Sequence, residues 1–107
     1  MTYLTIQQGS TPTLIIKPPL YPEELAKYTV DVFQDGAPLI SKDNTGCTIQ
    51  PDHSIAVPLT QQDTLNLSPR RVSVNLRGLY ASGATIQYGP VLATVDRSNY
   101  RDPLYLL

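Results

Sequence analysis

The sequence of 107 residues predicts an all-β domain built as a sandwich or barrel of antiparallel strands. Apolar residues recur at every second position, as where Val72, Val74 and Leu76 alternate with polar neighbours. Turn-forming residues separate these stretches at short, regular distances. Helical periodicity does not persist over any window long enough for more than a turn or two. These observations favour seven to eight short strands packed in two layers or closed into a barrel.

Eight stretches carry the strand pattern. They cover roughly residues 2–7, 11–17, 28–34, 37–41, 46–50, 54–59, 71–80 and 84–95. Asp35-Gly36 is the strongest short hairpin signal, because both central positions of that turn need a positive φ. The other turns are predicted at Gln8-Gly9-Ser10, "KDNTG", "QPDHS" and "ASGA".

The segment "YPEELAKY", residues 21–28, is predicted to hold a helical turn or two. Pro22 stands at a permitted first-turn position, and Glu23 and Glu24 are favourable at the positive end of a helix.

The polar stretch "LTQQDT" in the middle of the chain has two interpretations. Thr60, Asp63 and Thr64 could coordinate a cation or activate a water. Alternatively, Thr60 caps a short helical turn and Asp63 reaches back to the Thr60 N–H, a loose form of the capping box. Leu65 and Leu67 would then point into the core. A calcium site needs more oxygen ligands than this stretch offers, so we predict a structural corner.

The last predicted strand changes phase. Ile86 and Tyr88 occupy even positions, whereas Val91, Ala93 and Val95 occupy odd ones. A one-residue shift would point half of these side chains toward solvent unless a bulge in the strand accommodates the extra residue. Gly89-Pro90 separates the two halves, and Pro cannot donate to a strand ladder. We therefore predict a β-bulge there, or a strand that switches sheets.

The charge balance disfavours nucleic acid as a partner. The formal net charge is -1, from 8 basic and 9 acidic residues, without basic clustering. The single cysteine, Cys47, cannot form a disulfide within the chain, which suits a reducing compartment or assembly inside a cell. We expect it to fill core space rather than to act as a reactive thiol. No secretion signal and no membrane-spanning run of about 20 apolar residues is expected, so we expect a soluble protein.

Signatures of catalysis are sparse. The one histidine, His53, lies in a predicted turn and is expected to be solvated. No second histidine or cysteine completes a metal site, and there is no glycine-rich phosphate loop. Glu23 and Glu24 are adjacent and would face different ways, and Asp31 is expected to be solvated on the polar face of a strand. The sequence predicts no enzyme and no catalytic, metal or cofactor-binding residue.

The last twelve residues, 96–107, are predicted to form an extended arm separate from a sandwich domain of residues 1–95. Pro103 disfavours a helix there. The side chains expected to bind a partner are Tyr100, Leu104, Tyr105, Leu106 and Leu107. Such an apolar segment either folds back on its own domain or docks on another chain. Because it can add to a free sheet edge or fill a groove, we predict a contact between subunits.

Three segments, taken in order, resemble a known family. They read "TIQQGSTPTLIIK", "VPLTQQDTLNL" and "RRVSVNLRGLYASGATIQYGPVLATV". Over about residues 4–95 the chain resembles the N-terminal domain of the baseplate upper protein family of tailed bacteriophages. It departs from the family in reading "QGST" where a "QGDT"-like element is usual, and in lacking the fibre-forming region that often follows. The resemblance implies an immunoglobulin-like or related β-sandwich whose role is assembly.

The sequence therefore predicts a non-enzymatic bacteriophage virion structural protein of the tail or baseplate type. Its expected partners are other virion proteins and copies of itself, with no nucleic acid, membrane or small-molecule substrate. It would be assembled in the host cytoplasm and reside in the virion. One alternative is a capsid decoration or head-to-tail joining protein. Another is a carbohydrate-binding module, although such modules prefer Trp, which is absent. The candidate stacking residues are Tyr3, Tyr21, Tyr80, Tyr88, Tyr100 and Tyr105.

Overall fold

The computed structural model describes residues 4–97, which fold into two β-sheets. The first sheet contains β1 Leu4–Gln7, β3 Leu25–Gln34, β4 Ala37–Asp43, β7 Arg71–Tyr80 and β8 Thr85–Asp96. The second contains β2 Thr13–Ile16, β5 Thr48–Ile49 and β6 Ile55–Pro58. A 3-10 turn at Pro22–Glu24 and the helix α1, Gln61–Leu65, complete the described elements. The strand orders are β1-β8-β7-β3-β4 and β2-β6-β5. The all-β prediction is confirmed.

One cluster of buried aliphatic side chains joins the two sheets. Val30 of β3 and Val74 of β7 come from the first sheet, and Leu14 of β2 and Val57 of β6 come from the second. Each is at most 4% exposed. Alternate residues of β7 are buried from Val72 onward, as its period of two predicts. The architecture is therefore sandwich-like, with the polar side chains of β7 on the outer face of the first sheet.

The expectation of purely antiparallel strands is wrong for one pair. β1 runs parallel to β8, with Leu4 opposite Ala93 and Ile6 opposite Val95. The turn after β1, where Gly9 has φ 78°, sends the chain across to the second sheet instead of into a hairpin. β1 is thus free to add to the edge of the first sheet in the same direction as β8. Apolar alternation is identical in parallel and antiparallel strands, so the sequence pattern carried no information on direction.

The hairpin between β3 and β4 is confirmed. Asp35 and Gly36 have φ values of 55° and 79°, as a two-residue turn of this kind requires. The helical prediction for residues 21–28 holds only for Pro22–Glu24. β3 begins at Leu25, because residues from Leu25 onward pair with β7, and this pairing outweighs a weak local helix preference.

Five other strands differ in their bounds from the predictions. Those expected over residues 11–17, 46–50 and 54–59 are reduced to Thr13–Ile16, Thr48–Ile49 and Ile55–Pro58, whereas β4 extends to Asp43 and β8 runs from Thr85 to Asp96. Strand ends are decided by backbone partners on neighbouring strands, which the local sequence does not reveal.

The predicted bulge in β8 is present. Val74 lies opposite Val91 and Leu76 lies opposite Tyr88, so two steps along β7 face three steps along β8. The extra residue falls at Gly89-Pro90, where Gly89 has φ 129°. A Cβ on Gly89 would lie 2.9 Å from the carbonyl oxygen of Val74. The bulge therefore returns the apolar side chains of β8 to the core face. It requires glycine, because other residues rarely adopt this φ and because a Cβ would not fit.

The predicted arm lies beyond the described residues, apart from its first two positions. Asp96 closes β8 and Arg97 is the last residue described. The separation into a domain of residues 1–95 and an arm of residues 96–107 therefore stays a prediction. Within residues 4–97 no helix has the length and apolar character needed to cross a membrane.

Candidate functional site

The corner helix α1 begins with the predicted capping box. The Thr60 hydroxyl oxygen accepts a hydrogen bond from the Asp63 N–H at 3.1 Å. In return, a carboxylate oxygen of Asp63 accepts the Thr60 N–H at 2.9 Å. Both bonds satisfy N–H groups that a helix start leaves without a partner. This part of the polar stretch is a structural device, as predicted.

Asp63 has a second partner that local sequence did not reveal. The ammonium of Lys42, on β4, lies 2.9 Å from Asp63 Oδ2, with the two side chains 23% and 21% exposed. Burial opposes the charged carboxylate, but the Thr60 N–H and Lys42 outweigh it, so the pKa of Asp63 is lowered. The pair ties the corner to the edge strand of the first sheet. An inward-directed charge also discourages further strands from adding at an edge.

Thr64 is the polar centre of the corner. Its side chain is fully buried, and its hydroxyl oxygen accepts the Gly9 N–H at 2.9 Å. The hydroxyl lies 2.9 Å from the carbonyl oxygen of Ser10, to which it can donate. Leu67 is buried in the core as predicted, whereas Leu65 is only half-buried. Thr64 therefore takes an inward position that the sequence pattern had given to Leu65.

Two glutamine side chains complete the attachment of the corner. The Gln34 amide, at the end of β3, donates to the Ser68 carbonyl and accepts the Ser68 N–H, both at 2.8 Å. The Gln8 amide donates to the carbonyl of Leu67 at 2.5 Å. The Gln34 side-chain amide thus makes the same pair of hydrogen bonds with the Ser68 backbone that a peptide group of a neighbouring strand would make. The polar atoms of the corner therefore form hydrogen bonds and an ion pair that connect it to the β1–β2 turn, to β3 and to β4.

Asp31 is buried, contrary to the expectation of a solvated carboxylate. It is 9% exposed and accepts the Ser41 hydroxyl at 2.6 Å. Thr29 Oγ1 lies 3.4 Å from its other oxygen. Ser41 is directly opposite Asp31 in the β3–β4 register, so cross-strand pairing supplies the donor that makes burial tolerable.

His53 lies in a turn with its side chain 42% exposed, as expected, but it also has specific partners that the sequence did not predict. Its Nδ1 lies 2.5 Å from Glu23 Oε2, and its ring centroid lies 4.2 Å from that of Tyr21 at an interplanar angle of 36°. His53 has φ 67° in the β5–β6 turn. The contact joins this turn to the 3-10 turn before β3. Glu23 therefore pairs with a side chain 30 residues away, in addition to its place in the first turn.

Cys47 lies just before β5 and packs, half-buried, against the core. Burial, followed by the negative charge of Asp43, raises the pKa of its thiol. A thiol with a raised pKa is a weak nucleophile at neutral pH, which favours the core-filling interpretation.

An open groove of about 810 Å³ lies on the outer face of the first sheet. Phe33, Ser73 and Leu92 are neighbours across β3, β7 and β8 and form a line along its floor. Phe33 and Leu92 are half-buried, while Arg71 and Arg77 are exposed along β7. The groove adjoins the β8 bulge, which contributes Gly89 and Pro90. Its floor carries two apolar side chains, on either side of Ser73, and its lining also includes Arg71, Arg77 and Asp35.

Three of the tyrosines proposed for stacking lie within residues 4–97, and they differ in exposure. Tyr21 is 57% exposed, whereas Tyr80 and Tyr88 are half-buried against the core. The remaining candidates, Tyr3, Tyr100 and Tyr105, lie outside the described residues. The arm residues Leu104, Leu106 and Leu107 lie outside them as well. Among residues 4–97 no group of three or more His, Cys, Asp or Glu side chains is placed to hold a metal ion.

Comparison with known proteins gives no relative from which a function can be transferred. No protein-family model matches the chain. No curated protein and no solved structure matches it either.

Proposed function

We propose that this protein is a non-enzymatic structural component of a bacteriophage virion, of the tail or baseplate type, that acts through protein–protein contacts. Support comes from the family resemblance of the sequence and from the use of the polar side chains. Thr60, Asp63, Thr64 and Asp31, four of the side chains considered for chemistry, are engaged in bonds that join strands and loops. The observation that carries the proposal is the open outer face of the first sheet, with its apolar line of Phe33 and Leu92.

An immunoglobulin-like sandwich is part of this proposal. Variable-type immunoglobulin domains place strands B, E and D in one sheet and extend the other sheet, C, F and G, with C′. If β2 is strand B, the second sheet reads B-E-D, and β4, β3, β7 and β8 read C′-C-F-G. β1 then continues that sheet beyond G. This agreement in order supports the assignment, because many other orders of eight strands are possible.

We propose that the arm of a neighbouring copy, residues 98–107, occupies the outer groove. Leu92 lies four residues before Asp96, or about 13 Å along the strand. Leu104 lies eight residues after Asp96, or about 26 Å when extended. The groove continues from Leu92 back to Gln87, so an arm that folded back would cover its own groove, whereas an arm that continues away from β8 reaches another copy. We propose the second arrangement. Burying two or three of its Leu or Tyr side chains contributes about 1.5–3 kcal/mol each, before the costs of ordering.

Deletion of residues 98–107 tests the arm. We expect the full chain to form oligomers in multi-angle light scattering, and the truncated chain to be monomeric with an unchanged β-type circular dichroism spectrum. If the truncated chain is unfolded, the arm belongs to its own core and the proposal of an intersubunit arm is wrong.

A labelled peptide of residues 98–107 tests the groove. Binding to the truncated protein, followed by fluorescence anisotropy, should weaken at least about tenfold in Leu92→Lys, because an ammonium would interrupt the apolar floor. Leu39→Lys is the matched control, since Leu39 is 42% exposed on the edge strand β4. Loss of binding in the control but not in Leu92→Lys would move the contact to the β4 edge.

Antibody labelling tests the virion assignment. Antibodies against the purified protein should decorate tails or baseplates of particles produced from the genome that encodes it, after assembly in the host cytoplasm. Labelling of heads or of the head–tail junction would favour the decoration or joining alternative instead. Particles that contain none of the protein by mass spectrometry would overturn the virion assignment.

A further inference from the structure

We propose that the surface around Tyr21 is a saccharide-binding site that stacks one pyranose ring. It lies at the 3-10 turn before β3 and is distinct from the groove assigned above to the arm. Tyr21 is 57% exposed, more than Ile15, Leu39 or Leu79, the other large apolar side chains that are exposed in residues 4–97.

The Tyr21 ring has partners on the neighbouring turn. One side of it contacts the His53 ring, with the centroids 4.2 Å apart. His53 is fixed in turn by Glu23, 2.5 Å from Nδ1, and by its own N–H, which donates to the Gln50 carbonyl at 2.9 Å. Two loops thus converge to orient one exposed aromatic side chain. A positioned ring loses little freedom on binding, which favours affinity for a small ligand.

A shallow groove of about 620 Å³ extends from this ring. Pro18, Pro19 and Leu20 provide its apolar part, and Lys17, Glu24 and Asp52 provide polar groups. Hydrogen bonds from the Ser54 side chain and N–H lower the pKa of Asp52, so it is a carboxylate at neutral pH. The groove therefore combines one aromatic face with both donors and acceptors, which is the usual composition of a site for a small polar molecule.

This combination fits a neutral or amino sugar better than a strongly anionic ligand. A pyranose presents a face of C–H groups to an aromatic ring and hydroxyls around its rim, which both donate and accept. The carboxylates Glu23, Glu24 and Asp52 outnumber Lys17 nearby, so phosphorylated or otherwise strongly anionic ligands are disfavoured. An open site with one stacking residue should bind a monosaccharide with a dissociation constant on the order of 1 mM.

Titration of the full chain with monosaccharides and methyl glycosides tests the site. The probes are methyl β-glucopyranoside, methyl β-galactopyranoside and N-acetylglucosamine, each at up to 20 mM, followed by ¹H–¹⁵N shift mapping. We expect saturable shifts confined to residues 17–24 and 50–54 with at least one probe. Tyr21→Ala should weaken binding at least tenfold, and Tyr21→Trp, with its larger face, should strengthen it several-fold.

Leu79→Ala is the matched control, because it also removes an exposed apolar side chain but lies on β7. It should leave sugar binding unchanged. Absence of shifts with all three probes, or shifts that persist in a folded Tyr21→Ala variant, would overturn the proposal. So would shifts of the same residues with a proline hexapeptide alone, since the groove would then recognise peptide. Tyr21→Ala should leave oligomerisation intact, and deletion of residues 98–107 should leave sugar binding intact, so the two proposals fail separately.

Discussion

Replacement of Thr64 by valine should measure how much one buried hydroxyl stabilises the fold. Valine has nearly the same shape, so no cavity is created, but the Gly9 N–H loses its acceptor and the Ser10 carbonyl loses its donor, both at 2.9 Å. A polar group left without a partner costs about 1–3 kcal/mol when buried. Gly9 and Ser10 are only partly buried. We therefore take the lower end for each and expect a total loss of about 2 kcal/mol.

Urea denaturation and calorimetry give the free energy of unfolding and the melting temperature. A loss of about 2 kcal/mol corresponds to a decrease of roughly 10 °C for a domain of this size. Thr85→Val is the matched control, because Thr85 is exposed at the start of β8 and the change should stay within about 0.5 kcal/mol. If Thr64→Val matches the wild type within that margin, the reasoning that Thr64 secures the β1–β2 turn is refuted.

Three further predictions concern the corner and the bulge. Thr60→Ala should lower the free energy of unfolding by about 1 kcal/mol through the lost cap. A calcium-dependent rise in the melting temperature of the wild type that vanishes in Asp63→Ala would instead support the cation-site interpretation. Because the folded pKa of Asp63 is lowered, its contribution is present above the ordinary aspartate pKa of about 3.9 and is lost as the pH falls below it. Asp63→Asn should therefore flatten the acid side of the stability profile in denaturation series from pH 7 to 2, and an unchanged slope would contradict this. Gly89→Ala should destabilise by about 3 kcal/mol, because φ is 129° and the new Cβ would meet the Val74 carbonyl. In the same denaturation assay the control Gly83→Ala, with φ 93° but open space, should lose only about 1–2 kcal/mol, and equal losses would refute the steric reasoning.

The capping box could be predicted because both partners lie within three residues of each other. The spacing of Thr60 and Asp63 alone brings their bonds within reach. The partners of Thr64 lie 54 and 55 residues away, and that of Gln34 lies 34 residues away. No local pattern marks such bonds, and a buried threonine looks in sequence like any polar turn residue. The expectation of a solvated Asp31 failed for the same reason, and the contact of His53 with Glu23, 30 residues away, was not predicted.

The sequence by itself determined the all-β class, most strand positions and the bulge. Alternation fixes which face of a strand is buried, and the phase change around Gly89 follows from the same rule of period two. Sheet order, the parallel addition of β1 to β8 and the Lys42–Asp63 pair were decided only by tertiary structure. These features depend on which strands pair and on how the two sheets align. Backbone hydrogen bonds are the same for almost any residue, and one apolar strand face packs much like another, so the local sequence does not specify the partner.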